Sequence, residues 1–175
     1  MLKTLRKIAS VGLVSEPAPQ PDELFRIRSA LDEQIRSVLG RALCIRHVDA
    51  GSCNGCELEI QAVNNPLYNL EGLGIRFVAS PRHADLLLVT GPVSANMETA
   101  LRRVYDATPD PKLVVAIGDC GCTGGIFGES GVSRGRISNV IPVDVTVPGC
   151  PPSPLRILAG ILTAITSSRG ATTGG

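Results

Sequence analysis

Aromatic residues are scarce. Three Phe and two Tyr occur in 175 residues, and Trp is absent. Any core must therefore be built from Val, Ile, Leu and Ala, which the 43% hydrophobic content supplies. Disorder throughout is excluded by the same figure. A basic excess is also lacking. The formal charge of +1 argues against a nucleic-acid binder, because phosphate contacts need clustered cations. No apolar run reaches the length of a bilayer-spanning helix. A secretory apolar segment is missing too, so the six cysteines do not read as a stapled extracellular mini-domain. The expected compartment is reducing and cytoplasmic.

What is present is punctuation. Nineteen glycines and thirteen prolines predict many tight connections. Residues 1–21 read as an N-terminal arm: a basic amphipathic stretch (Leu2, Leu5, Ile8 and Ala9 against Lys3, Arg6 and Lys7), then a linker with Pro17, Pro19 and Pro21. Such an arm suits a membrane surface, a partner subunit, or packing on its own domain. Residues 22–166 form the expected α/β domain. Its leading helix spans 22–40, with Asp22 as N-cap, Leu24, Ile27, Leu31, Ile35 and Val38 on one face, and Gly40 at its end. Residues 167–175 lack apolar periodicity and read as a disordered tail.

From Leu43 the texture becomes short apolar runs between turns. Strands are expected at 44–48, 75–79, 85–90, 112–118 and 141–147. Helices are expected after Cys56, over 95–106 and from Pro154. The stretch from Gly121 to Asn139 reads as an irregular loop. Alternation of strands with helical connections predicts an α/β layered domain with a mainly parallel sheet and helices on both faces. Ligands of such sheets sit outside the carboxyl ends of the strands. Three cysteine-bearing loops leave strand ends there: Asp49–Ile60 with Cys53 and Cys56, Gly118–Gly121 with Cys120, and Val147–Pro152 with Cys150.

Four thiolates can hold zinc or an iron–sulfur cluster. Structural zinc usually takes two C-x2-C knuckles, and only one such pair exists here. Scattered single ligands suit the wider cradle of a cubane. Nearby glycines (Gly51, Gly55, Gly121, Gly149) let backbone N–H groups approach the sulfurs. Zinc and redox-active thiols remain alternatives at this level. Cys44 reads as a buried thiol in a strand. Cys122 is a rival to Cys120.

The ordered motifs C-x2-C-E-x-E (Cys53, Cys56, Glu57, Glu59), S-P-R-H-A-D (Ser80–Asp85), V-T-G-P-V (Val89–Val93), G-D-C-x-x-x-G-G-I-F (Gly118–Phe127) and V-P-G-C-P-P-x-P (Val147–Pro154) resemble the small, cluster-carrying subunit of energy-converting nickel–iron hydrogenases and formate hydrogenlyase. They are similar to the 20 kDa cluster-binding subunit of respiratory complex I. The resemblance implies a flavodoxin-like fold and a single 4Fe–4S cluster on Cys53, Cys56, Cys120 and Cys150. Cys122 then falls on a non-ligand position. The complex I branch places two adjacent cysteines at the first site. The Asn54-Gly55 spacer favours the hydrogenase branch over quinone reduction.

With no second C-x2-C pair, nickel belongs on a partner. The implied role is a non-catalytic oxidoreductase subunit that relays electrons between a ferredoxin-like iron–sulfur subunit and the nickel–iron large subunit. The complex would include membrane subunits, with this chain peripheral on the cytoplasmic side. A complex I-type subunit serving quinone and a non-redox zinc scaffold are the alternatives. Glu57 is either a dipole-favoured helix start or a proton-transfer or interface carboxylate. Arg82 either offsets cluster charge, meets a partner, or forms a surface ion pair. His83 reads as a loop residue and Asp119 as a turn former.

Overall fold

The structure is a computed structural model and describes residues 2–11 and 20–172. Five strands form one sheet: β1 (Leu43–Asp49), β2 (Ile75–Phe77), β3 (Leu86–Thr90), β4 (Leu113–Ile117) and β5 (Val145–Val147). Their order is β2-β1-β3-β4-β5 and every ladder is parallel. This is the doubly wound arrangement of flavodoxin-like sheets. β3 is buried along its whole length and β4 along all but its first residue, as their unbroken apolar runs require.

The α-helices are α1 (Leu2–Val11), α2 (Pro21–Gln34), α3 (Gly55–Ala62), α4 (Ala95–Ala107), α5 (Gly118–Thr123) and α6 (Pro154–Thr172). One core layer joins Leu24 and Leu31 of α2, Ile60 of α3 and Ile157, Leu158 and Ile161 of α6 to Leu43, Ile45, Leu86 and Leu88 of the sheet. The other joins Leu101 of α4 to Leu87, Val89, Val114 and Ala116. Helices thus cover both faces.

Several local expectations change. α2 starts one residue before Asp22: Gln20 is extended, its carbonyl accepts from the N–H groups of Glu23 and Leu24, and Pro21 takes the first helical position. Pro21 therefore belongs to the helix rather than the linker. The remaining linker prolines lie outside the described residues. The leading helix closes through a π-turn at Ile35–Leu39, with Gly40 at φ 60°. α6 runs on to Thr172, through the start of the tail expected from Ser167. Thr163, Thr166 and Ser167 donate their hydroxyls to carbonyls four residues back, which satisfies them within the helix. Residues 173–175 lie outside the described residues. The stretch after Cys120 is less irregular than expected: α5 opens it and a 3-10 turn at Ile137–Asn139 closes it.

Candidate metal centre

The first loop follows β1. Asp49 Oδ1 accepts from the N–H groups of Gly51 and Ser52, both at 2.8 Å, which folds the chain back sharply. Ser52 Oγ accepts from Asn54 N–H. Asn54 takes φ 73° and Gly55 begins α3. Cys53 thus stands exposed on the turn, and Cys56 is half-buried in the first helical turn.

The second loop follows β4. Gly118, at φ 83°, opens α5, which carries both Cys120 and Cys122. Residues two apart on a helix point to different sides. Cys122 turns inward, packs against the α4-side core, and donates its thiol to Ala116 C=O. Its pKa is pushed up to about 11, chiefly by burial. Cys120 turns the other way.

The third loop follows β5 and carries Cys150. It is tied to the second by Asp119, whose N–H donates to Gly149 C=O and whose Oδ1 accepts from Gly149 N–H, each at 2.8 Å. A turn former was expected at Asp119; it is a clamp between two cysteine loops. Asp119→Ala is expected to lower stability by about 1–3 kcal/mol, since it orphans a backbone donor. Asp119→Asn keeps an acceptor and should cost clearly less, as read by thermal unfolding of the anaerobically purified chain.

The four thiols Cys53, Cys56, Cys120 and Cys150 share one site. The Cys56 thiol is raised to about 12 by burial first, then by Glu57 and the thiolates of the other three. Cys120 is raised by burial, then by Cys150 and Cys53. Each thiol makes ionisation of its neighbours harder, so the four would become thiolates together only around a cationic centre. Glycine backbone lines the space: a Cβ on Gly118 would stand 2.6 Å from Cys56 Sγ, and one on Gly125 2.9 Å from Cys120 Sγ. The donor set and its glycine cradle fit an iron–sulfur centre, whose sulfurs take close backbone approach. Among the described residues no three His, Cys, Asp or Glu side chains converge as on a single metal ion.

Glu57 lies beside this site, 8% exposed in the first turn of α3. The Thr90 hydroxyl donates to its Oε1. With that proton committed, His47 Nε2, 3.1 Å from Thr90 Oγ1, is the donor of the next contact. Glu57 Oε2 is buried without a partner. Burial pushes the His47 imidazole below its ordinary range, and Glu57 and Asp49 oppose that shift. This trio from β1, α3 and β3 was not anticipated, apart from Glu57.

Arg82 is not at the site. It sits in the 3-10 turn Pro81–His83 and lines a cleft with Leu43 and Leu113, the first residues of β1 and β4. That is the amino edge of the sheet, roughly 16 Å from the carboxyl edge for five-residue strands. The connection from β2 must return the chain to the start of β3, and this carries Arg82 away. A cluster-charge role for Arg82 is thereby withdrawn. Cys44 lines the same cleft, half-buried rather than fully enclosed.

Known proteins bear on this geometry. A family model described as NADH ubiquinone oxidoreductase, 20 Kd subunit, matches residues 53–164, which include all four cysteines. The probable membrane-bound hydrogenase subunit mbhJ of Pyrococcus furiosus is 48% identical over 132 residues, 75% of this chain and 79% of that protein. Formate hydrogenlyase subunit 7 of Escherichia coli is 42% identical over 149 residues, 85% of this chain. The matched region is 57% of that subunit's length. A chain in the structure of an archaeal respiratory membrane complex, the membrane-bound sulfane sulfur reductase, superposes with a TM-score of 0.65 at 32% identity, over 81% of this chain and 76% of that one. The motifs and the parallel sheet lead to the same place, and the chain belongs to the family of the NADH ubiquinone oxidoreductase 20 Kd subunit.

Proposed function

We propose that the chain is an electron-transfer subunit carrying one 4Fe–4S cluster on Cys53, Cys56, Cys120 and Cys150. It relays electrons between a ferredoxin-like iron–sulfur subunit and the nickel–iron large subunit of a membrane-associated hydrogenase complex. The observation that carries this reading is the gathering of four thiols from three loops on a glycine-lined carboxyl edge. The group bound there would supply single-electron transfer.

The chain's own residues supply position and surroundings. Asp119 fixes the second loop against the third. Asp49 folds the first. Cys53 and Cys150 are exposed, so the centre lies at the surface, where a partner can come within transfer distance. Ile126 (94% exposed) and Phe127 (53%) follow directly on the Gly125 backbone that abuts Cys120. This apolar tip suits burial against the large subunit. Glu57 is the proton-transfer or interface carboxylate of the site, with Oε2 buried beside Cys56 and without a partner. Among the described residues no helix is long and apolar enough to cross a membrane. Attachment through membrane subunits, on the cytoplasmic side, completes the reading.

The test is freeze-quench EPR on the assembled complex. Under hydrogen, a reduced-cluster signal should appear, and it should be missing when Cys150→Ser is assembled in its place. Reduction only by a quinol, with sensitivity to quinone-site inhibitors, would overturn the hydrogenase reading in favour of a complex I-type subunit.

A further inference from the structure

In a sheet ordered β2-β1-β3, the connection from β2 to β3 has to cross β1. Right-handed crossovers put it on the face opposite α3, which is the face of α4. Such a crossover usually carries a helix. Here residues 78–85 contain only the 3-10 turn Pro81–His83. α4 covers β3 and β4, where Leu87, Val89, Val114 and Ala116 are at most 1% exposed. The β1–β2 half of that face has only thin cover.

Strand alternation says what stands there. Leu43 and Ile45 of β1, with Ile75 and Phe77 of β2, pack into the opposite core layer. Cys44, Arg46 and Arg76 therefore project to the α4 face. Cys44 and Arg76 are register partners, and Arg46 is the next residue on the same face of β1. Cys44 and Arg46 are partly exposed and Arg76 is exposed. The crossing turn adds Arg82 and His83, both exposed.

Counter-charge is short. The nearby Asp85 is taken by Arg41 in a two-pronged pair. Glu71 shares a shallow depression with Arg76. Among the described residues Arg46, Arg76 and Arg82 have no ion pair within 4.0 Å. Arg46 Nε is buried with no acceptor. A half-buried guanidinium without a counter-ion is unfavourable until a carboxylate reaches it.

We propose that the face running from Arg46 and Arg76 to Arg82 docks an acidic segment of a partner subunit, which takes the place of the missing crossover helix. The proposal rests on the chain being a subunit of a complex, as its family is, and not on the cluster. Arginine forks match carboxylates geometrically, and no large exposed apolar residue on these strands favours lipid.

The test uses the tagged full chain, recovered with its complex from cells carrying Arg46→Glu with Arg76→Glu, Arg76→Glu alone, or Arg46→Lys with Arg76→Lys. The double reversal should lower partner recovery per chain by on the order of ten-fold, because like charges then meet across the interface. Arg76→Glu alone should lower it partly, with wild-type thermal unfolding. The lysine pair keeps the charge but loses the fork, so its recovery should fall between wild type and the double reversal, and iron per chain should stay at the wild-type level in every variant. Unchanged partner recovery in the double reversal would overturn the proposal. So would equal loss in the lysine pair, or an effect seen only on binding to anionic vesicles or RNA. Absence of iron from the wild-type chain would count against the cluster and leave the docking result standing.

Discussion

Cys120→Ser should remove the metal centre, while Cys122→Ser should leave it in place. The expected drop in iron for Cys120→Ser is about ten-fold or more, since even residues behind the ligands cost 10–100-fold at metal sites. The two cysteines are neighbours on one short helix and share a raised pKa, so neither spacing nor titration separates them. Orientation does. Cys120 Sγ lies against the Gly125 backbone and is influenced by the Cys150 and Cys53 thiols. Cys122 is held by Ala116 C=O within the α4-side core. Cys122→Ser exchanges a buried, weakly polar thiol for a hydroxyl that can keep the same acceptor, so its cost should fall on stability. Iron retained in Cys120→Ser and lost in Cys122→Ser would reverse the assignment.

Gly118→Ala should cost both stability and the metal centre. Two effects coincide. Gly118 adopts φ 83°, where an L-residue costs roughly 1–2 kcal/mol. Its Cβ would also stand 2.6 Å from Cys56 Sγ, closer than any ordinary contact, on a thiol that cannot move without leaving the site. The expected result is a lower unfolding temperature together with loss of bound iron. Gly128→Ala is the control: it shares a positive φ of 56°, but its Cβ would meet nothing within 4 Å. That variant should lose only the backbone contribution and keep its iron. Equal iron loss in both would mean that backbone strain, not crowding at Cys56, governs the site.

The sheet was legible because buried parallel strands leave long apolar runs, as in Leu86–Thr90 and Leu113–Ile117. The cysteine loops were legible because each follows such a run. α5 was not: six residues with two glycines and two cysteines carry no hydrophobic period, and their helicity is fixed by the clamp to Gly149. That clamp joins residues thirty apart in sequence, and a sequence reading sees Asp119 only as a local turn former. Arg82 was misplaced although the turn that carries it closes just before β3 starts at Leu86, which puts it at the amino edge. That closeness was the missed signal. The extent of α6 was underestimated because the residues from Ser167 carry no apolar period. Thr90 and His47 gave no sign at all; each looked like an ordinary strand residue until the fold set them against Glu57.

The central claim is that these four cysteines hold a single iron–sulfur cluster. Iron, zinc and acid-labile sulfide measured per chain on anaerobically purified protein test it most directly. About four iron and about four sulfide per chain, with zinc near zero, are expected for one such cluster. About one zinc per chain, with neither iron nor sulfide, would contradict it.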